Sequence, residues 1–344
     1  MCHRRASLCL GLAICFALTA CAIALDGGGD GPDAGAAPDT VVGCALLENA
    51  PMPIGAGHSA SLSDGAALWT FDGALTAGAR ADGLATRVVA KSGGCPGDMG
   101  AVTVALPATT SNDDFATPLD LVRVGDTTWQ FYETWRFEPS AAFGVKTVGR
   151  GIAKYDPFSG SFDRSGPLMW TADRPAYGQS ALIDGTWLYA YGCESASDGW
   201  ARACYAARVP VAQVGDINAW QYATGIGRFT ASPDDAQPVL TGVGDLSLRR
   251  HASGRLLATY IKPLDTVLQV RSALGPTGPF SAAHALARCE SSAGTFCVGA
   301  VQHPELDPDP ATIAVTFARA SFDPLPAGTR SPRLAFLPLP LVLP

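Results

Sequence analysis

Ile183-Asp184-Gly185-Thr186-Trp187-Leu188-Tyr189-Ala190-Tyr191 places a tight-turn dipeptide ahead of a run of alternating large apolar residues. Successive side chains of a strand point to opposite sides, so Trp187, Tyr189 and Tyr191 share one face and Leu188 and Ala190 the other. Both faces are apolar. Such a strand is buried on two sides, as it is in a sheet packed between two others. The arrangement recurs at Asp64-Gly65 (then Trp69, Phe71), Asp126 (then Trp129, Phe131), Ser253-Gly254 (then Leu256, Tyr260) and Asp309-Pro310 (then Ile313, Val315, Phe317), with 56 to 69 residues from turn to turn. A repeat of that length with two or more strands per unit is the mark of a propeller blade, a small antiparallel sheet that stacks on its neighbours to bury its faces. Five copies predict an all-β fold, a five-bladed β-propeller with blades centred near 70, 130, 190, 257 and 315. The rival architecture is a pair of packed β-sandwich domains.

The first twenty residues read as a targeting leader. Arg4 and Arg5 precede an apolar run, Ala6 to Ala20, that is too short to cross a bilayer as a permanent helix. The run ends in Leu18-Thr19-Ala20-Cys21, which resembles a bacterial lipobox and makes Cys21 the expected lipidated first residue of the mature chain. Residues 21–43 are rich in Gly, Asp, Ala and Pro; such a composition buries no core and is expected to act as a flexible tether. Residues 44–344 are expected to form one propeller domain, because no linker-like stretch interrupts the repeat. The expected address is the bacterial cell envelope, with Ala22 after the cysteine favouring the outer membrane.

Of the ten cysteines, Cys2, Cys9 and Cys15 leave with the leader and Cys21 carries lipid. Six remain, and an even number in an exported chain favours disulfides. Cys193/Cys204 and Cys289/Cys297 each close a short loop, and Cys44/Cys95 follows by elimination. Zinc would need Cys-x-x-Cys or a histidine at ligand spacing. Neither occurs, so no metal and no cofactor are expected.

Loss of Arg4 and Arg5 takes the formal charge from −7 to −9. Nucleic acid and anionic lipid both call for a basic surface, so neither is expected as a partner, and the membrane is reached through the N-terminal lipid alone. The chain is expected to be a monomer.

Propellers bind ligands where the innermost strands converge on a central channel. Counting back six residues from each turn gives His58, Asp120, Gly178, Ser247 and His303, with Gln179, Asp245 and Glu305 one or two places away. His58, Asp120, Gln179, Asp245, His303 and Glu305 are the candidate channel residues. Polar groups just before apolar strands also arise from turn capping, and the His303-Pro304-Glu305 step is equally a plain strand-entry turn.

The phrases Tyr177-Gly178-Gln179-Ser180 with Ile183 to Tyr189, Ala207-Arg208-Val209-Pro210-Val211 running to Ala219-Trp220, Gly278-Pro279-Phe280-Ser281 and His303-Pro304-Glu305-Leu306 resemble an uncharacterised bacterial family of exported five-bladed propellers. That family is distantly similar to the arabinanase, xylosidase and levansucrase clan of glycoside hydrolases. The likeness implies a glycan partner. The clan's hydrolases place a base or nucleophile, an orienting aspartate and a general acid on the inner strands of the first three blades, since glycoside cleavage needs one protonated and one ionised carboxyl group about the sugar bond. Asp120, after Pro118, matches the orienting aspartate and is the best catalytic candidate. Gly57-His58-Ser59 stands where the first carboxylate belongs, and Gln179 where the acid belongs. An amide cannot donate a proton as a carboxylic acid does. The resemblance therefore implies a carbohydrate-binding propeller without the full hydrolase set, or a glycoside hydrolase whose acids have moved to Asp72, Glu133, Glu194 or Asp245. A protein-interaction scaffold is the third reading, because fold alone does not license a function.

Other signatures fail. Gly57-His58-Ser59-Ala60-Ser61 lacks the last glycine of a nucleophile elbow and precedes a strand where that motif needs a helix. Gly225-Ile226-Gly227 and Gly242-Val243-Gly244 lack the third glycine of a dinucleotide site. Asp307-Pro308-Asp309-Pro310 lacks calcium-loop spacing and reads as a solvated turn.

Overall fold

The computed structural model describes residues 39, 41, 43–46, 55–71, 83–89, 94–96, 103–107, 115–141, 144–195, 202–289, 294–321 and 332–340. They form five small antiparallel sheets in a ring, a five-bladed β-propeller. Each turn of the sequence repeat joins the first and second strands of a blade. In blade one these strands are His58–Ser61 and Ala66–Phe71, in blade two Phe115–Val124 and Thr127–Phe137, and in blade three Ser180–Asp184 and Trp187–Ser195. Blade four opens with Asp245–Arg250 and Leu256–Ile261, and blade five with Thr295–Gln302 and Thr312–Ser321. The first strands lie innermost.

Five buried clusters fill the five seams between blades. Leu188 and Ala190 pack with Phe131, Trp170 and Trp220 toward blade two, whereas Tyr189 and Tyr191 pack with Leu246, Leu248 and Tyr260 toward blade four. The double-sided burial read from the alternating run is thus supplied by two different neighbours. Leu68 and Ala85 meet Leu121 and Tyr132 between blades one and two. Leu257 and Val270 meet Ile313 and Val315 between blades four and five. Trp69 and Phe71 meet Leu306, Ala314 and Leu334 where the last blade returns to the first. Each fully buried side chain of this size contributes about 1.5–3 kcal/mol relative to exposure.

The ring is closed by the chain's beginning. Cys44–Ala45 pairs with Arg333–Pro338 as the outer strand of blade five, and Cys44 is bonded to Cys95 beyond the third strand of blade one. Cys193–Cys204 links facing positions of neighbouring strands in blade three, and Cys289–Cys297 spans the step from blade four to blade five. The chain meets the propeller before Cys44: Val41 N–H donates to Arg288 O and Arg288 N–H to Asp39 O, at 2.8 and 2.9 Å. Cys21 and the leader lie outside the described residues.

Candidate functional site

The starts of the inner strands surround a pocket of about 360 Å³ lined by His58, Gln179, Asp245, Pro118 and Leu119, with Gly55, Ala56, Leu246 and residues 298–301 completing the wall. Farther along the same strands, Ser59, Arg123, Arg249, Arg250 and Glu305 line a second pocket of about 610 Å³. Asp120 and Arg249 stand between the two.

A bulge in blade two places Asp120. The pairing of Phe115–Val124 with Thr127–Phe137 shifts register between Pro118 and Leu121, which frees the intervening residues from strict alternation. Leu119 then faces the first pocket while Asp120 is only 1% exposed. Its carboxylate is fully engaged. Oδ1 accepts from Arg249 Nη2 at 2.5 Å and from Leu121 N–H at 2.8 Å, and Oδ2 accepts from Arg249 Nη1 at 2.7 Å and Ala181 N–H at 2.6 Å. His58 Nδ1 lies 3.3 Å from Oδ1. Burial alone raises a carboxyl pKa, but Arg249 and His58 more than offset it and hold Asp120 well below the usual carboxylate range. Burial likewise opposes the charge of Arg249, and Asp120 outweighs it, so the guanidinium pKa is raised. One ion pair therefore ties blades two, three and four together at the axis.

Gln179 is held by its oxygen. Cys193 N–H donates to Oε1 at 2.8 Å, so the amide NH₂ is the end left for the pocket. Gly178 sets this position with φ +104°, a conformation that L side chains rarely adopt, and a Cβ there would stand 2.4 Å from the Phe131 side chain. Asp245, 46% exposed at the pocket edge, accepts from Arg202 Nη1 at 2.5 Å.

His303 and Glu305 close the seam between blades five and one instead of facing the first pocket. His303 is fully buried, stacked on Trp69 at 4.4 Å between ring centroids, with Nδ1 2.5 Å from Ser59 Oγ and Nε2 2.7 Å from Thr316 Oγ1. Ser59 also donates to Glu305. Burial lowers the His303 pKa against the opposing pull of Glu305. Burial acts to raise that of Glu305, but His303 and Ser59 bring it below its ordinary value. Glu305 borders the second pocket.

The relocated-acid candidates are scattered. Glu133 is 12% exposed, lies 2.5 Å from Arg150, and has a pKa raised by burial against that arginine. Glu194 is exposed at the end of its strand, where it contributes, after burial, to pushing Tyr205 up to about 12. Asp72 lies outside the described residues. Among the described residues no three His, Cys, Asp or Glu side chains come together as a metal-ligand set.

Arg249 is the site residue that the sequence reading missed. Its signal is an arginine sharing a face with Ser247 on a strand whose other face carries Leu246 and Leu248. Ser59, read only as part of a failed elbow, is the second omission.

The architecture is that of propeller glycoside hydrolases. CoXyl43, a β-xylosidase/α-arabinofuranosidase of family 43 from a compost metagenome, solved with xylotriose, aligns with a TM-score of 0.54 at 12% identity over 87% of this chain and 94% of that one. The family 43 enzyme of Xanthomonas citri, in complex with xylose, gives 0.52 at 15% identity over 86% and 90%. Zg3597, a family 117 glycoside hydrolase of Zobellia galactanivorans, gives 0.52 at 12% identity over 87% and 88%. At these identities the likeness is one of fold. By sequence, residues 126–320, more than half of the chain, match the family described as Domain of unknown function (DUF4185), and the chain belongs to that family. No curated protein matches it in sequence.

Proposed function

We propose that this chain is an exported, lipid-anchored propeller that binds glycans in the His58 pocket and does not hydrolyse glycosidic bonds. One observation carries the reading. Among the described residues lining that pocket, Asp245 is the one carboxylate, and it is paired with Arg202. Hydrolysis needs two carboxyl groups flanking the bond, one of them holding a proton. Asp120 is spent on Arg249 and has no free oxygen to offer a substrate. The sugar ligands of the family 43 neighbours, xylose and xylotriose, support a carbohydrate as the occupant. Cys21 is the proposed anchor and the outer membrane the proposed address.

A glycoside hydrolase with relocated acids is the second reading, favoured by Glu133, whose burial raises its pKa in the direction a proton donor requires. The test runs a glycan-binding screen beside a reducing-sugar release assay on plant, bacterial and algal polysaccharides. Binding without release supports the first reading. Release that is lost in Glu133→Gln supports the second, and absence of any bound glycan moves the weight to a protein-interaction scaffold.

A further inference from the structure

We propose that the His58 pocket is an ester-cleaving site that removes acyl groups from glycans while leaving their glycosidic bonds intact. Three features meet there. His58 lines the pocket and its Nδ1 faces the Asp120 carboxylate at 3.3 Å. An ionised carboxylate only accepts, so Nδ1 carries the hydrogen, and in the neutral imidazole Nε2 then holds the lone pair. Gln179 turns its NH₂ to the same pocket because its oxygen is taken by Cys193 N–H. Apart from Asp245, which Arg202 holds, the remaining wall is mostly apolar, with Ala56, Pro118, Leu119, Leu246 and Ala300. An acyl group carried on a glycan buries against such a wall.

Ester hydrolysis needs one base and one oxyanion donor, and no pair of carboxyl groups. In the proposed step His58 Nε2 takes a proton from water as the water oxygen bonds to the ester carbonyl carbon. The carbonyl electrons move to oxygen, which the Gln179 N–H groups receive. Collapse of this intermediate breaks the bond from the acyl carbon to the sugar oxygen, and the Nε2–H proton goes to that oxygen. Water and ester become carboxylic acid and sugar hydroxyl. Asp120, locked by Arg249, is a positioning residue that fixes the tautomer of His58.

The chemistry stands on the pocket alone, whereas glycan as the alcohol rests on the glycan-binding reading. The experiment gives the mature chain p-nitrophenyl acetate, a panel of O-acetylated plant and bacterial polysaccharides, and their deacetylated forms, and measures acetate release and binding together. The expected result is acetate from the aryl ester and from at least one polysaccharide. His58→Gln and His58→Ala should then lose about 10²-fold or more in kcat. Gln179→Leu should lower kcat by about 10²–10³-fold. No acetate from any ester, or a folded His58→Gln chain at the wild-type rate, overturns the proposal. Acetylated glycan bound but not deacylated overturns it and leaves the binding reading standing. Aryl ester cleaved with no glycan bound or deacylated overturns glycan as the substrate and the binding reading with it.

Discussion

Asp120 and Arg249 stand 129 positions apart in sequence and make two direct hydrogen bonds at the propeller axis. A buried pair of this kind costs much to break, because removing one partner strands the other's charge. Asp120→Asn is expected to destabilise the chain by about 3–5 kcal/mol in denaturant unfolding, and Asp120→Leu with Arg249→Met together by less than either single change. The pH dependence has a definite sign. Asp120 is depressed in the folded state, so its stabilisation is present above the ordinary carboxylate pKa and is lost only as pH falls toward its much lower folded value. Asp307 acts in the opposite sense. Burial raises it from 3.8 to about 7 against a hydrogen bond from Ala314 N–H, so its stabilisation is full below pH 3.8 and is lost as pH rises through 7. Asp307→Asn should therefore raise Tm at pH 8 and leave it unchanged at pH 3. Asp120 was visible in the sequence because a clan motif leads to it. Arg249 was not, since only the fold brings a blade-four arginine to a blade-two bulge.

The hairpin of inner and second strand is the element that the sequence spells out. A turn residue followed by large apolar residues on both faces is a local pattern, and local patterns survive reading one chain. The outer strands are less legible. Leu240–Val243 returns to pair with the far part of Arg202–Pro210, and Cys44–Ala45 joins blade five across the whole length of the chain; no periodicity announces either. The entry to the blade-three strand is the element on which the pocket depends. Gly178 holds φ +104° against Phe131 and aims Gln179. Gly178→Ala is expected to cost at least about 1–3 kcal/mol in backbone strain, read by thermal unfolding, and more if Phe131 cannot move aside.

Across the whole molecule the five seams are of one kind, and the seam between blades five and one is reinforced. It carries the Trp69 to His303 stack, the Ser59 contacts with His303 and Glu305, and the bond from Cys44 to Cys95. Residues 39 and 41 bond to Arg288 of blade four. Fractionation of wild type beside Cys21→Ser is expected to show the wild type in the membrane and the variant released. Identical partition of both would remove lipid at Cys21 from the account. The shape was legible because each blade repeats its own hairpin, while the site was legible only in part, because its residues converge from separate blades. Glycan binding without glycosidic cleavage is tested by measuring affinity and reducing-end release on the same polysaccharides, for wild type, His58→Ala and Gln179→Ala. Binding is expected to weaken by at least about tenfold, roughly 1.4 kcal/mol, in each variant, with no reducing ends released by any of the three. Release of reducing ends by the wild type, or affinity unchanged in both variants, would contradict that expectation.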